Sequence, residues 1–402
     1  MGTTIELRLG NLSVDWGKNE FYTDHLSLFQ EGDTRRLQLD RTDEDCDRGH
    51  SLARRLRDVV PRLNLLGYTL DAAREEYESL MERFTGEDRE VLPFATFLNV
   101  LCAVDIGSVS AEYEDDHSFG EFFREEIGPR LGVEDLFENR SDAWDFAYTM
   151  ENFHPWHVLS MLAQNNANLN IFVVWDYFRH LKAGWSTAEE FRPKLNPSDR
   201  FLLVTEGSSD SKVIRKALEL LRPEISDFFY FIDMEEGYPF SGSGNLANFC
   251  RGLVKIGLQN KTIILFDNDV EGVSKQAVLA AVDRPSNLEV MRLPDVPELR
   301  NVKTVGPSGE VSDDINGRAA SIEAYLDFEW NADRPAIVRW TNFVESQNAY
   351  QGALESKAFY VREFLGLRGG CAGYNTSKLE TVLDSVVRIA GLIARSYPAR
   401  SR

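Results

Sequence analysis

Residues 262–272 read TIILFDNDVEG, and this stretch decides how the C-terminal half of the chain is interpreted. Its apolar residues form a run typical of a buried strand, and the run leads directly into Asp267, Asp269 and Glu271, followed by Gly272. Acidic side chains that cluster at the end of a buried strand repel one another, and such a cluster persists when something positive offsets the repulsion. The stretch therefore indicates a strand that ends at a functional site.

This strand belongs to a region in which short apolar runs alternate with helical patterns. The runs are FLLVTEG (201–207), FFYFID (228–233), KTIILFD (261–267) and LEVMRL (288–293). Residues 210–221, 244–257 and 273–282 have the three- and four-residue apolar spacing of helices. Strands of continuous apolar character are covered on both faces, so the pattern predicts an α/β domain with a doubly wound, mainly parallel four-stranded sheet.

Acids also follow the first of these strands. Glu206 ends the run at 201–205, and Asp210 stands four residues later. In a doubly wound sheet, ligands bind beyond the carboxyl ends of the strands, where the strand order reverses. If the first and third strands are neighbours there, Glu206, Asp267 and Asp269 converge. Because oxygen ligands without His or Cys suit hard divalent ions, we predict a Mg²⁺ or Mn²⁺ site.

Three simpler interpretations compete with a metal site. Asp210 and Asp269 could cap the helices that follow them. The stretch at 267–272 also fits the opening of an EF-hand loop, but position 12 of that loop would be Val278, and a strand stands where a helix should precede it. The segment GYPFSGSGN (237–245) could cradle a phosphate, but it lacks the P-loop and dinucleotide-binding motifs. Capping explains one acid per strand and not the whole group, so the metal site is favoured.

Composition and charge limit the class of protein. The 402 residues allow two or three domains, and 43% hydrophobic with 27% charged residues is ordinary for a globular chain. The net charge of −21 argues against a protein that coats nucleic acid by charge alone, but not against an enzyme whose metal ions neutralise a local phosphate. No apolar run approaches a membrane span and the N-terminus lacks a secretory pattern, so we expect a cytoplasmic protein without membrane contact. The four cysteines are too far apart for a C-x-x-C metal or redox site: Cys46, Cys102, Cys250 and Cys371.

The organisation along the chain is predicted in four parts. They are an N-terminal β segment (1–45), a mainly helical domain (46–190), the α/β domain (198–330) and helical C-terminal elements that complete it (331–402). A polar segment with two prolines, residues 185–200, marks the boundary between the two halves. Helices are expected at WHVLSMLAQNNANLNIFVVWDYFRHL (156–181), AYQGALESKAFYVREFLGL (349–367) and SKLETVLDSVVRIAGLIARSY (377–397).

The acidic motifs resemble the Toprim signature, in which Glu-Gly ends the first strand and Asp-x-Asp-x-x-Gly ends the third. Toprim domains occur in topoisomerases, primases and OLD-family nucleases, and this chain is most similar to the OLD-family version. There, Glu-Gly-x-x-Asp precedes Asp-x-Asp, and a later Ser-x-Glu and a lysine complete a two-metal nuclease site. The resemblance implies a metal-ligand set of Glu206, Asp210, Asp267, Asp269, Ser321 and Glu323.

The same resemblance implies two catalytic roles. Glu206 would serve as general acid or base as well as metal ligand. Lys357, in ESKAFYV, would stabilise charge in the transition state, with Lys378 as the alternative lysine. Lys212, Arg215 and Lys216 share one helical face after the first acidic motif and could steer a phosphate backbone, although a solvated helix face is the favoured explanation for them.

The N-terminus carries a second resemblance. IELRLGNLSVDWGKN (5–19) is similar to the opening of bacterial HEPN/Toprim-associated proteins, which are linked to antiphage defence. HEPN ribonucleases use an Arg-x(4–6)-His motif, and no arginine of this chain stands at that distance before any of its six histidines. The P-loop of the OLD-family ATPase is also missing from the sequence. The helical region is therefore expected to be HEPN-like without that ribonuclease centre, and a protein partner could supply the trigger.

Taken together, the resemblances imply a divalent-metal-dependent nuclease of antiphage defence. Its substrate would be DNA or RNA, with tRNA among the candidates, and a regulatory partner and a homo-oligomer are compatible with this class. The alternative is a Toprim metal-binding scaffold or sensor that is catalytically weak or inactive. The presence of every expected acid favours the nuclease.

Overall fold

The computed structural model describes the chain in nine segments. They are residues 3–37, 49–85, 92–109, 119–131, 147–232, 242–307, 309–330, 335–368 and 370–397. Cys46 and residues 237–241 of the glycine-rich segment lie outside the described residues. The chain divides into two compact units, Met1–Asn196 and Pro197–Arg402, and the division falls inside the polar segment at 185–200.

Five strands of the N-terminal unit pair into one antiparallel sheet. They are β1 (Thr4–Leu9), β2 (Leu12–Lys18), β3 (Thr34–Leu37), β4 (Gly49–Arg55) and β5 (Phe172–Asp176). Their order in the sheet is β2-β1-β5-β4-β3. The sheet therefore combines strands from the predicted β segment with strands from the predicted helical domain.

Strand β5 corrects the prediction of a helix at 156–181. Its sequence, FVVWD, buries Val173 and Trp175 in the alternating pattern of a strand, and it pairs with β1 on one side and β4 on the other. Only the beginning and the end of the predicted helix are helical, at Pro155–Leu162 and Phe178–Lys182. A short apolar run does not by itself distinguish a helix from a central strand, and here the two neighbouring strands decide.

Helices cover the remainder of the described N-terminal unit. They are α1 (Leu56–Leu66), α2 (Leu70–Thr85), α3 (Phe94–Cys102), α4 (Phe119–Phe122), α5 (Gly128–Leu131), α6 (Pro155–Leu162) and α7 (Phe178–Lys182). The apolar stripe of α1 is buried, and the helix ends at Gly67, which has a left-handed φ of 95°. Helix α2 is capped, since the Thr69 hydroxyl accepts a hydrogen bond from the Ala72 N–H.

The C-terminal unit contains the predicted parallel sheet. Its strands are β6 (Phe201–Thr205), β7 (Phe229–Phe231), β8 (Lys261–Phe266) and β10 (Leu288–Arg292), and β9 (Asn268–Asp269) is a short strand that follows β8. The order is β10-β8-β6-β7, and every neighbouring pair is parallel. The four apolar runs and the contact between the first and third of them are thereby confirmed. The strand order reverses between β6 and β8.

Five helices of the C-terminal unit are described. They are α8 (Ser208–Leu221), α9 (Ser243–Ile256), α10 (Val270–Ala280), α11 (Lys357–Leu365) and α12 (Ser377–Ser396). All except α11 are in contact with strands of this sheet. Apolar side chains of α9 and α10 pack with Leu202, Val204 and Phe266 on one face. Helices α8 and α12 contact β6 and β8 from the other face. Among the described residues, no helix combines the length and the apolar character needed to span a bilayer.

A second sheet follows the parallel one along the chain. Its strands are β11 (Val302–Gly306), β12 (Gly309–Asp313), β14 (Val338–Val344) and β15 (Ala349–Leu354), in the order β12-β11-β14-β15. A short strand, β13 (Ala319–Ala320), pairs with β9 instead. Strands β11 and β12 form an antiparallel hairpin in this polar, glycine-rich segment.

Strand β15 corrects the prediction of a helix over 349–367 and of purely helical elements after residue 331. Tyr350 pairs with Phe343 across the β14–β15 hairpin, and Gly352 lets the Trp340 ring lie on the strand, since a Cβ at Gly352 would stand 2.7 Å from that ring. Ser356, with a φ of 59°, ends the extended segment, and the helix begins only at Lys357. The helix predicted at 377–397 is confirmed as α12.

The first turn of α10 requires a glycine at position 272. A Cβ at Gly272 would lie 2.0 Å from the Asp267 carbonyl oxygen, so Gly272→Ala should destabilise the protein by about 2 kcal/mol or more. Gly252→Ala is the matched control, because Gly252 lies inside α9 with nothing within 4 Å of its Cβ position, and this change should stabilise by up to about 1 kcal/mol. Denaturant unfolding of both variants measures the difference, and equal stabilities would contradict the close approach.

Candidate functional site

Two neighbouring strands deliver acids to the point where the sheet order reverses. Glu206 follows β6 and Asp267 follows β8, and these strands are adjacent and parallel, so both residues emerge at the same edge. The Glu206 Oε1 accepts a hydrogen bond from the Asp267 backbone N–H at 3.0 Å. The predicted meeting of the first and third strands thus places these two carboxylates side by side.

Asp210 reaches the same edge from the first turn of α8. Its Oδ2 accepts a hydrogen bond of 2.9 Å from the Gly207 N–H, so it stabilises the beginning of the helix. The residue is only 8% exposed, and the charges of Glu206 and Glu323 act on it. The capping interpretation and the acidic-cluster interpretation therefore both hold for Asp210.

Asp269 is held by two donors. Its Oδ1 accepts from the Gly272 N–H at 2.7 Å as the N-cap of α10, and its Oδ2 accepts from the Gln351 amide at 2.6 Å. The Gln351 Oε1 in turn accepts from the Val270 N–H at 2.9 Å. Sequence reasoning missed Gln351, because it lies 82 residues after Asp269 on a segment that was predicted to be helical. No local motif marks this residue.

Ser321 and Glu323 enter the site through the short strand pair. Strand β13 pairs antiparallel with β9, and a 3-10 turn at Ile322–Tyr325 follows directly. Ser321 and Glu323 are both 5% exposed, and the Ser321 hydroxyl donates to the Glu323 Oε2 at 2.7 Å. The resemblance-based prediction gave these residues no location in the fold, and the pairing of β9 with β13 supplies one.

The two candidate lysines lie in different surroundings. The Lys357 Nζ, at the start of α11, is 3.5 Å from the Glu323 Oε2 and acts electrostatically on Glu206, Asp210 and Asp267. Lys378 instead donates to the Ala324 carbonyl oxygen at 2.8 Å, and its Nζ lies 3.8 Å from the centre of the Phe328 ring. Lys357 is therefore the lysine that faces the acids, and Lys378 holds the turn that carries Glu323.

Burial and mutual repulsion shift the carboxyl groups. Burial raises the pKa of Glu206 to about 7, and the charges of Asp269 and Glu271 add to the effect. Burial, with the charge of Glu323, also raises the pKa of Asp210 to about 7. The pKa of Asp267 lies well above its usual range, because the residue is buried beside Asp210, Glu206 and Asp269. Lys357 lowers all three pKa values but offsets only part of the effect.

The donor set suits a hard divalent cation. All the acids offer carboxylate oxygens, and a bound cation would offset the burial and mutual repulsion that raise the pKa values of Glu206, Asp210 and Asp267. Within the described ranges, however, no three acidic, His or Cys side chains are arranged around a common point ready to hold an ion. Glu206, Asp210 and Asp269 each turn an oxygen toward a backbone N–H, so rotation of side chains would have to accompany metal binding.

Comparison with known proteins bears on the N-terminal unit. Residues 1–199 match the family model described as HEPN/Toprim N-terminal domain 1. The match shows that the N-terminal half of the chain is similar to this domain of HEPN/Toprim-associated proteins, whose name suggests a nuclease-related theme. No curated protein and no solved structure matches the chain. The acidic residues lie beyond the matched region, so their roles rest on the geometry above.

Lys378 provides a pH-dependent test of the turn that carries Glu323. Burial lowers the pKa of Lys378 to about 8, whereas an unfolded lysine titrates near about 10.4. Between these values the unfolded chain binds a proton that the folded chain lacks, so the stability of the parent protein should rise with pH relative to Lys378→Met. From about pH 7 to about pH 9.5 the difference in unfolding free energy should grow by about 2 kcal/mol.

Denaturant unfolding at both pH values measures this change. The control is Lys255→Met, since Lys255 is an exposed lysine of α9. A pH-independent difference between the parent and Lys378→Met would show that Lys378 is not held in a desolvated position.

Proposed function

We propose that this protein is a divalent-metal-dependent nuclease that hydrolyses phosphodiester bonds at a Toprim-type site of the OLD-family kind. The observation that supports it most is the convergence of Glu206, Asp210 and Asp267 with Lys357 at the reversal point of a parallel sheet. Active sites of such sheets lie at this position. The match of residues 1–199 to a HEPN/Toprim domain agrees with the proposal.

The proposed metal ligands divide into two groups. Glu206, Asp267 and Asp269 would hold one Mg²⁺ or Mn²⁺ ion. Asp210, Ser321 and Glu323 would hold the second. When bound, such a pair of ions activates water and stabilises the leaving oxygen of an in-line displacement. The oxygen-only donor set matches the preference of these ions.

The side chains of the chain itself supply the remaining chemistry. Lys357 places an ammonium group beside Glu323, where it would stabilise the negative charge that develops on a phosphate in the transition state. Glu206, with a pKa raised to about 7, can both hold and release a proton near neutral pH, as a general acid or base must.

We further propose that the nuclease is a cytoplasmic effector of antiphage defence. Its substrate would be DNA or RNA, with tRNA among the candidates. The N-terminal unit would sense a trigger or a regulatory protein partner, since its histidines lack the Arg-x(4–6)-His spacing of an active HEPN ribonuclease. Assembly into a homo-oligomer would be compatible with this role.

One observation favours a second candidate function, a metal-binding scaffold or sensor without strong catalysis. Asp210 already accepts from the Gly207 N–H at the start of α8, Asp269 already accepts from the Gly272 N–H of α10, and no three acids of the described residues point to a common ion position. If these bonds persist, the cluster would hold a metal weakly. A cleavage assay with plasmid, linear DNA and total RNA, with and without Mn²⁺, separates the two candidates.

Metal binding predicts a thermal shift. At Mn²⁺ concentrations about one hundred times the dissociation constant, the melting temperature of the parent should rise by on the order of 5 °C. Asp267→Asn should lose this response. In chelator the variant should melt at the temperature of the parent or above it, because the change removes a carboxylate from a repelling group.

Asp283→Asn is the control for this measurement, since Asp283 is exposed and lies after α10, outside the cluster. It should respond to Mn²⁺ as the parent does. An Asp267→Asn protein that is stabilised by Mn²⁺ as strongly as the parent would place the metal elsewhere.

The proposed cleavage reaction should depend on only one of two glutamates that are close in sequence. Glu323→Gln should lower the cleavage rate by about a hundredfold or more while the protein stays folded, because it removes a proposed ligand and the partner of Lys357. Glu329→Gln makes the same chemical change six residues later at an exposed position, and it should cleave as the parent does. Rates and melting curves of both variants are compared. Near-parental cleavage by folded Glu323→Gln would remove this residue from the site.

A further inference from the structure

A second concave site lies on the flank of the parallel sheet. It is a cavity of about 370 Å³ along the free edge of β7, between that strand and α8. Its lining includes Arg200, Arg215, Tyr230 and Phe231. The volume falls within the range of small-ligand sites, which begins at about 300 Å³. The acidic cluster contributes no residue to this cavity.

Two arginines approach the edge strand from opposite faces. The Arg200 guanidinium lies 5.2 Å from the centre of the Tyr230 ring, and the Arg215 guanidinium lies 5.2 Å from the centre of the Phe231 ring. Because consecutive residues of a strand point to opposite faces, the two contacts bracket the strand. Stacking on a ring fixes the plane of a guanidinium while leaving its N–H groups available to an acceptor.

Neither arginine has an anionic partner among the described residues. Their side chains form no hydrogen bond or ion pair there, and the Arg200 Nε is buried without an acceptor. Glu219 and Asp227 also line the cavity, yet neither forms an ion pair with Arg200 or Arg215. In a chain with 65 acidic and 44 basic residues, two guanidinium groups that line one cavity and have no anionic partner in the described part of the chain indicate a site for an external anion.

The chemistry of the lining identifies the anion. A guanidinium donates paired N–H groups in the geometry of a phosphate, and the guanidinium planes that are stacked on Tyr230 and Phe231 each present an outer flat face on which a nucleobase can stack. We propose that this cavity binds the phosphate of a nucleotide unit, which either a free nucleotide or a nucleic-acid strand can provide. Arg200 and Arg215 hold the phosphate from the two sides of the strand edge.

The position of the cavity connects it to the acidic cluster. Arg215 follows Asp210 by five residues on α8, which is about 7.5 Å along the helix axis. Arg200 stands before β6 and Glu206 stands after it, so a strand bound at the cluster would have to extend by several nucleotides along β6 to contact both arginines. If a nucleic-acid strand provides the phosphate, the inference rests on the proposed nuclease function. If a free nucleotide provides it, the inference does not depend on the nuclease function.

Binding in the absence of metal tests the proposal. The probe is a short fluorescein-labelled single-stranded DNA, measured by fluorescence anisotropy in EDTA with the full-length protein, so that no cleavage is needed. Arg200→Gln/Arg215→Gln should weaken binding by about tenfold or more and reduce its dependence on salt, because two phosphate contacts are lost. Arg215→Gln alone, at an exposed position, should weaken binding in the same direction and covers the case in which the double variant does not fold.

Arg388→Gln is the matched control, since Arg388 is an exposed arginine of α12 outside the cavity, and it should bind as the parent does. Competition with adenosine monophosphate and with unlabelled strand distinguishes the two sources. Displacement by the mononucleotide identifies a free-nucleotide site, and displacement by strand alone identifies a substrate site.

Two results would overturn the inference: no binding of either probe to the parent, or parental affinity in both arginine variants. The cleavage assay fails or succeeds separately from this measurement. If the parent cleaves nucleic acid while its arginine variants bind normally, the proposal for the cavity is rejected and the nuclease proposal stands. If the parent binds through the two arginines but does not cleave, the nuclease proposal is rejected and the proposal for the cavity stands.

Discussion

The buried side-chain amide of Asn268 is the contact on which the geometry of the acidic site depends. Asn268 stands between the two aspartates of the third strand, and its side chain points away from theirs, as alternation along an extended segment requires. Its amide nitrogen donates to the Asp295 Oδ1 at 2.9 Å, and its oxygen accepts from the Gly317 N–H at 2.9 Å and from Arg292. One side chain thus joins the end of β8 to the segments that precede β13.

These contacts fix where the later part of the chain returns. Gly317 stands directly before the strand that pairs with β9, and Tyr325, at the end of the following turn, also contacts the Asn268 amide at 3.3 Å. Glu323 lies between these two attachment points and therefore faces the acids of β6 and β8. A cluster of like charges is expensive to assemble, and here the hydrogen bonds of the uncharged Asn268 amide, on the opposite side of the strand, hold it in place.

The sequence predicted the parts of the structure that depend on local pattern. Four continuous apolar runs predicted the parallel sheet. The acids after the first and third runs predicted the position of the candidate site, because the carboxyl ends of parallel strands lie at one edge of a sheet. The failures have a common cause. FVVWD at 172–176 and AYQGAL at 349–354 are strands only because distant strands flank them, and neither segment shows this in its own composition. Gln351 and the role of Asn268 were equally hidden, since their partners lie far away in sequence.

The two bonds to Asp269 have a consequence for choosing an inactive variant. Both carboxylate oxygens accept from N–H groups, one from Gly272 and one from Gln351, while the Gln351 oxygen is already engaged by Val270. An asparagine at this position would place its own amide N–H groups against one of these two N–H donors. Turning the Gln351 amide over would relieve that contact, but it would then place the Gln351 N–H groups against the Val270 N–H. Asp269 is therefore required by the local fold whether or not it ever meets a cation. A loss of activity in Asp269→Asn would mix misfolding with chemistry, so genetic tests of this protein are cleaner at Asp267, whose carboxylate the surrounding structure repels.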